Sequence, residues 1–359
     1  MTAAKTPWWA WTWPVLAWVM LLLNTFAGSN LIIAVVTGAV LIATVFAAVY
    51  HAEVVADRTG EPFGTIILAV AVTIIEVALI VSVMIAMPVQ KAGLARDTVF
   101  AAVMIVCNGI VGLCLLWGGA RHHEQDFQEL GATAALAVLA ALTTLTLVLP
   151  NVAASAPGPL FSTPQLVFAG ITSLVLYGAF IFVQTVRHRD YFLPVGIRHA
   201  KPTVPPPSNM TAVSSGLLLI ITLVAVIGLA KSLTPTVERG VELLNIPAAV
   251  VGIVIAALVL MPEGLAAVRA ARANLLQTSL NLALGSALAS IGLTIPAVAA
   301  VAIARRQQLE LGLDQKDQIL LALTLFISVI TLGTGRTTVL QGIVHLVIFA
   351  AFLFFAIVP

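Results

Sequence analysis

Long intervals of this chain carry no Asp, Glu, Lys or Arg. Thr6 to Ala52 is free of them, as are Thr98 to Ala120, Leu130 to Val186, Met210 to Ala230, Ala273 to Ala304, Gln318 to Gly335 and Thr337 to Pro359. Two more, Pro62 to Gln90 and Leu243 to Val268, hold a single charge each, Glu76 and Glu263. In water such stretches would lack a polar face. In a bilayer, a helix of about 20 apolar residues crosses the hydrocarbon with its backbone groups paired internally. Gly28-Ser29-Asn30 splits the first interval into two helices, and the stretch from Pro150 to Pro164 splits Leu130 to Val186 into two more. The expected fold is an all-α polytopic membrane protein of eleven transmembrane helices. With 60% of the 359 residues hydrophobic and 9% charged, a set of soluble domains is excluded.

A formal net charge of +2 leaves no basic surface for a polyanion, so nucleic-acid binding is not expected. Cys107 and Cys114 lie on one helical face of one apolar run and cannot bridge each other. Trp8, Trp9, Trp11 and Trp13 resemble an interfacial belt, and the first span, lacking a small-residue cleavage pattern, is expected to stay. With the N-terminus in the cytoplasm, the inner side receives Lys5, Arg58, Arg121, Arg187, Arg189, Arg198, Lys201, Arg269, Arg272 and Arg336. The outer side receives Lys91, Arg96, Lys231, Arg239, Arg305, Arg306 and Lys316. The excess inside favours that orientation, in a bacterial inner membrane.

The other acids, from Glu53 and Asp57 through Glu124, Glu129, Glu238, Glu242 and Asp317, fall in loops or at helix ends. Glu76 and Glu263 fall inside spans. A charged carboxylate at the centre of a spanning helix costs about 2.5–3.5 kcal/mol even on the lenient insertion scale, so an ion or proton site is the leading explanation. A protonated, hydrogen-bonded structural Glu is the alternative, and Arg269 and Arg272 bring Glu263 nearer an interface.

Setting aside an N-terminal helix (1–29) and a basic, proline-containing linker (187–209, with Pro205-Pro206-Pro207), ten helices remain as two units of five, 30–186 and 210–359. An odd unit repeated in tandem emerges inverted, and each acid then sits on its unit's second helix. Two facing carboxylates are neutralised by one hard divalent cation or by two protons, not by both at once. If only the neutralised site can cross the hydrophobic barrier, cation flow one way is tied to proton flow the other.

Four stretches carry a resemblance. They are Gly60-Glu61-Pro62-Phe63-Gly64 with Thr73-Ile74-Ile75-Glu76; Gly118-Gly119-Ala120-Arg121 with Gln125 and Phe127; Met261-Pro262-Glu263-Gly264 with Leu284-Gly285-Ser286-Ala287 and Ile295-Pro296; and Gly333-Thr334-Gly335-Arg336-Thr337. In order and spacing the chain resembles the CAX-type cation/proton exchangers of the calcium/cation antiporter superfamily, most of all the bacterial ChaA-type members. The resemblance implies one glutamate per repeat binding cation and proton in exchange, Glu76 and Glu263, with hydroxyls at Thr73 and Ser286. It departs where the family usually has Gly-Asn before each glutamate: here stand Val72-Thr73 and Leu260-Met261. The basic stretch from Arg187 to Lys201 replaces the acidic one of many members, so calcium sensing by that loop is not carried over.

Asn108 and Asn281 lie in charge-free helices and are candidates both for donating carbonyl oxygens to a cation and for bridging helices. His345 reads as structural before proton relay. His122-His123-Glu124 is not a zinc motif, and Asp314 with Asp317 reads as a solvated helix start. Gly252, Gly285 and Gly292 suggest close packing, and Thr143, Thr144 and Thr146 suggest helix interior. No cofactor is expected; the cation (calcium, sodium or potassium) and the proton are substrates. A cation channel or cation-only carrier is the alternative, and an intramembrane enzyme, for want of acidic clusters or a His-Glu motif, a remote one.

Overall fold

Eleven apolar helices occupy the described residues of this computed structural model, which are 6–26, 31–60, 63–86, 92–194, 207–243, 247 and 249–358. They are α1 (Trp8–Phe26), α2 (Leu31–Thr59), α3 (Phe63–Ala86), α4 (Leu94–His122), α5 (Glu129–Asn151), α6 (Thr163–Arg187), α7 (Asn209–Leu243), α8 (Ala249–Arg272), α9 (Leu276–Arg305), α10 (Gln315–Leu332) and α11 (Val339–Ile357). Ten are long and apolar enough to cross a bilayer. The other, α3, has 24 residues, about 36 Å at 1.5 Å per residue. The Gly28-Ser29-Asn30 turn, Glu61-Pro62, Pro205-Pro206, Lys5, Lys91, Arg198 and Lys201 lie outside the described residues.

The helices overrun the charge-free intervals. α2 continues through Glu53 and Asp57 to Thr59, and α7 through Lys231 to Leu243. Charge marks where hydrocarbon gives way to headgroups; the intrahelical hydrogen bonds continue past that level. Among the described residues three stretches are π-helical: Ile105–Ile110 inside α4, Thr144–Val148 in α5 and Val183–Arg187 closing α6.

The chain divides into two compact units, α1–α3 with α7, and α4–α6 with α8–α11. Each draws helices from both halves of the sequence. In the first unit α2 packs on α1, α3 and α7. Pro14 lies inside α1 and has no N–H to offer the carbonyl of Ala10, four residues earlier. His51 of α2, fully buried, supplies the donor instead, with Nε2 at 3.0 Å from that carbonyl. A carbonyl can only accept, so Nε2 carries the hydrogen. Asn24 ties the other end of α1, its Nδ2 donating to Thr37 of α2 and Ser232 of α7, each at 3.2 Å.

In the second unit α4 packs on α8, α9, α10 and α11. Lipid is as apolar as leucine, so close backbone approach does the work that hydrophobicity does in water. A Cβ on Gly342 of α11 would lie 2.5 Å from the Leu116 backbone nitrogen and 2.9 Å from the Gly112 carbonyl. One on Gly252 of α8 would lie 2.9 Å from the backbone nitrogen of Thr98, and one on Gly292 of α9 2.7 Å from Tyr177. Gly252 and Gly292 are thus packing glycines. Gly285 has nothing within 4 Å of its missing Cβ. Thr143 and Thr146 donate to the carbonyls of Leu139 and Leu142 (2.8 and 2.7 Å), as helix-interior hydroxyls do.

The loops at one end of this unit are joined by two short strands, β1 (Gln125–Asp126) and β2 (Arg336–Thr337), paired antiparallel. Phe127 donates to the Gly335 carbonyl at 3.0 Å, and Gly335 takes φ 69°, open to glycine at no steric cost. Arg336 pairs with Asp126 at 3.2 Å and Glu124 at 3.9 Å. At the other end Arg96 contacts Asp97 (2.8 Å), Glu310 (3.7 Å) and the Gly312 carbonyl (3.2 Å). Asp314 caps α10 by accepting from the Asp317 N–H at 2.8 Å, the helix start expected of that pair.

Candidate functional site

Glu76 stands on the protein-facing stripe of α3. Val72, Thr73, Glu76, Leu79 and Ile80 recur at helical spacing and are all buried, while Ile66, Val70 and Ile74 on the opposite side are exposed. The Glu76 residue is only 3% exposed. At 1.5 Å per residue it lies about 20 Å from Phe63 and about 15 Å from Ala86, close to the middle of its helix. Thr73, one turn earlier on the same stripe, is buried as well and brings a hydroxyl to that level.

Glu263 lies about 21 Å from Ala249 and about 14 Å from Arg272 along α8, again near the middle. It is half-buried, at the edge of a stripe formed by Ala256, Val259, Leu260, Gly264 and Ala267, whereas Met261 and Leu265 are exposed. Two local features single out this turn. Pro262 has no N–H, which removes the intrahelical donor for the Leu258 carbonyl and loosens the helix just before the acid. Gly264 follows it, and a Cβ there would lie 3.0 Å from Ile110, the last residue of the π-helical stretch of α4. Thus α8 rests on α4 at the level of Glu263.

Glu76 and Thr73 belong to the first compact unit; Glu263, Ser286, Asn108 and Asn281 belong to the second. Ser286 is half-buried on α9, beside the open Gly285 and on a helix that packs against α8.

The asparagines have the bridging arrangement rather than a free carbonyl. Asn281, near the start of α9, donates to the Phe192 carbonyl at 2.6 Å and accepts from Gln277 at 2.9 Å. Gln277 in turn accepts from the Gln128 N–H at 2.6 Å, so this pair pins two connecting loops. Asn108, fully buried in the π-helical stretch, donates to Thr324 of α10 at 2.9 Å, and its Oδ1 lies 3.2 Å from His345 Nδ1. His345 completes the connection with Nε2 at 3.2 Å from Thr331. Sequence reasoning had both residues but not their pairing, since nothing in the local pattern joins positions 108, 324, 331 and 345.

Two of the resembling motifs are structural. A Cβ on Gly118 would overlap the Gln125 carboxamide, which donates to the Ala271 carbonyl (2.9 Å) and Asn274 (3.0 Å). A Cβ on Gly119 would lie 2.8 Å from the Val339 nitrogen. The stretch from Gly118 to Phe127 and the stretch from Gly333 to Thr337 are therefore the two sides of the strand joint. Among the described residues, no group of three or more His, Cys, Asp or Glu is arranged to hold a metal ion. Cys107 and Cys114 are free and buried.

A nearly all-helical polytopic protein with one carboxylate near the middle of each of two apolar helices has the form of a secondary transporter. The family described as sodium/calcium exchanger protein matches residues 29–186 and 214–358, and the chain belongs to that family of membrane antiporters, within the calcium/cation antiporter superfamily. It is similar to the sodium-potassium/proton antiporter ChaA of Escherichia coli (strain K12), 36% identical over 349 residues, which cover 95% of this chain and 93% of that one. The protein named y4hA of Sinorhizobium fredii is 51% identical over 361 residues, 99% of this chain and 98% of the relative. Among solved structures, native YfkE superposes with a TM-score of 0.74 at 14% identity, covering 98% of this chain and all of that one. The H+/Ca2+ exchanger CAX superposes with 0.73 at 13% identity, covering 96% and 87%. At those identities the likeness is one of fold.

Proposed function

We propose that this protein exports a hard cation (calcium, with sodium or potassium as further substrates) in exchange for protons, by alternating access with both substrates competing for Glu76 and Glu263. The observation that carries the reading is the mid-span position of both acids on their own helices, with Glu76 nine-tenths and more buried. Both carboxylates ionised in a low-dielectric interior are costly; one divalent cation or two protons neutralise them. Thr73 and Ser286 add hydroxyl oxygens, which suit the same class of ion.

In this reading the ten helices after residue 29 form two inverted units, 30–186 and 210–359, separated by the linker 187–209. The family match in two stretches, 29–186 and 214–358, supports it. So do the names of the relatives: sodium-potassium/proton exchange for the curated one, H+/Ca2+ exchange for a solved neighbour. The distribution of Lys and Arg supports a cytoplasmic N-terminus in a bacterial cell membrane. The cation and proton are cargo, and the exchange needs no resident cofactor.

The test is flux in proteoliposomes. An imposed pH gradient should drive calcium, sodium or potassium uphill, which a channel or a cation-only carrier cannot do. Glu76→Gln and Glu263→Gln should each abolish the exchange while the protein remains folded, because an amide keeps volume and hydrogen bonds but neither sheds a proton nor supplies charge. Glu124→Gln, on an exposed loop, is the control and should exchange normally. Near-normal coupled flux in either spanning variant removes that residue from the site.

A further inference from the structure

The interior of the second unit holds a buried polar chain to which the exchange proposed at Glu76 and Glu263 assigns no role. Thr331, His345, Asn108, Thr324 and Met104 follow one another at 3.2, 3.2, 2.9 and 3.3 Å across α10, α11 and α4. Each of these residues is fully buried or nearly so. Asn108 directs its amide hydrogens to Thr324 and to the Met104 sulfur, so its Oδ1 needs a donor, and His345 Nδ1 faces it. With the hydrogen on Nδ1, Nε2 is left to accept from the Thr331 hydroxyl. One tautomer of a neutral ring fits both side-chain neighbours, and the Cys107 carbonyl of the same π-helical stretch is a further acceptor for the ring, so His345 holds that stretch at two successive residues.

The place of this chain gives it a consequence. Asn108 lies inside the π-helical stretch Ile105–Ile110, where an extra residue per turn changes which side chains face each neighbour. The same stretch ends at Ile110, on which Gly264 rests, next to Glu263. α11 is also seated against α4, through Gly112, where a Cβ would lie 3.1 Å from the His345 Cβ. α4 thus contacts both helices, joined to His345 of α11 through Asn108 and to the Glu263 helix through Ile110.

Resting on the reading of Glu263 as an exchange residue, we infer that His345 and Asn108 are positioning residues: they hold the π-helical stretch of α4 in the shape that sets Glu263 for the cation. Neither touches the cation. Their loss lowers affinity through the α4–α8 contact and leaves the turnover of bound cation largely intact.

The experiment is initial-rate exchange in proteoliposomes with calcium, sodium and potassium each alone, giving KM and maximal rate per folded protein. In His345→Gln the amide reaches the Nε2 position but abandons Asn108, whereas in His345→Asn an amide N–H stands where Nδ1–H stood. His345→Gln and Asn108→Leu should each raise KM for the transported cation by about 2- to 30-fold, the range that packed networks transmit, with maximal rate within about twofold. His345→Asn should restore the wild-type KM. The double variant His345→Gln/Asn108→Leu should be no worse than the worse single, because the pair acts as a unit. Should His345→Gln fold poorly, Asn108→Leu decides by the same readout, and Thr331→Val, which leaves the His345–Asn108 pair in place, should keep the wild-type KM. A purely structural role would lower thermal stability and the amount of folded protein while leaving KM alone. An unchanged KM, additive effects, or no rescue by His345→Asn each overturn the inference. Glu263→Gln in the same assay separates the levels: normal exchange there sinks the carboxylate reading, whereas loss there with an unchanged KM in His345→Gln sinks only the positioning role.

Discussion

Lowering the pH by one unit should weaken cation binding to this protein by a factor between about 10 and about 100 wherever both site acids compete with protons. The bound follows from the count of acids inside the spans, Glu76 and Glu263. Each carboxylate that must shed one proton before the cation enters contributes up to a tenfold change per pH unit, about 1.4 kcal/mol. Two such groups, coupled, give up to about 2.7 kcal/mol. By linkage, the cation must release the same number of protons that the affinity slope reports. Calcium, sodium and potassium would each be titrated into detergent-solubilised protein by calorimetry at several pH values, in two buffers of different ionisation enthalpy. The slope of log Kd against pH and the protons released should agree and lie between one and two in the competitive range. Glu76→Gln leaves one titrating acid, so any residual binding should show a slope no greater than one. An affinity independent of pH, with no proton release, would refute shared-site competition and favour a channel or a cation-only carrier.

Two further expectations concern how the helices hold together. Gly342→Ala places a Cβ 2.5 Å from the Leu116 nitrogen, so α4 and α11 must separate; a loss of about 1–3 kcal/mol is expected, read as a lower melting temperature in detergent. Gly285→Ala, with nothing within 4 Å, should leave the melting temperature unchanged. His51→Leu strips the buried Ala10 carbonyl of its donor and should cost about 1–3 kcal/mol. Pro14→Ala restores an N–H to that carbonyl, so the same His51→Leu change should cost markedly less in its presence. Equal penalties in both backgrounds would contradict the proline argument.

The positions of the spans were legible because lipid selects so strongly against charge. Intervals free of Asp, Glu, Lys and Arg locate all eleven helices found among the described residues, and the two exceptions are the two mid-span acids. Helix ends were less legible: α2 passes Glu53 and Asp57, and α7 passes Lys231, because a helix outlasts the hydrocarbon around it. The roles of Asn108 and Asn281 were open in the sequence, since a polar side chain in an apolar helix looks the same whether its partner is an ion or another helix. Partners 216 residues away, as Thr324 is from Asn108, leave no trace in local periodicity. The π-helical stretches were invisible for a related reason, since they arise from packing against neighbours. Motifs such as Gly118-Gly119 and Gly335-Arg336-Thr337 were recognisable as motifs, but only the pairing of β1 with β2 assigns them to a joint.

That joint limits how the molecule can move. The two short strands clasp the C-terminal end of α4 to the N-terminal end of α11, and the close approach of Gly342 to Gly112 and Leu116 seats the first turn of α11 on the same helix. A shear between them would have to unlace a ladder and lift one backbone off another at the same time. In the alternating-access reading proposed above, the fourth and eleventh helices are expected to move together, with the hinges elsewhere in the chain.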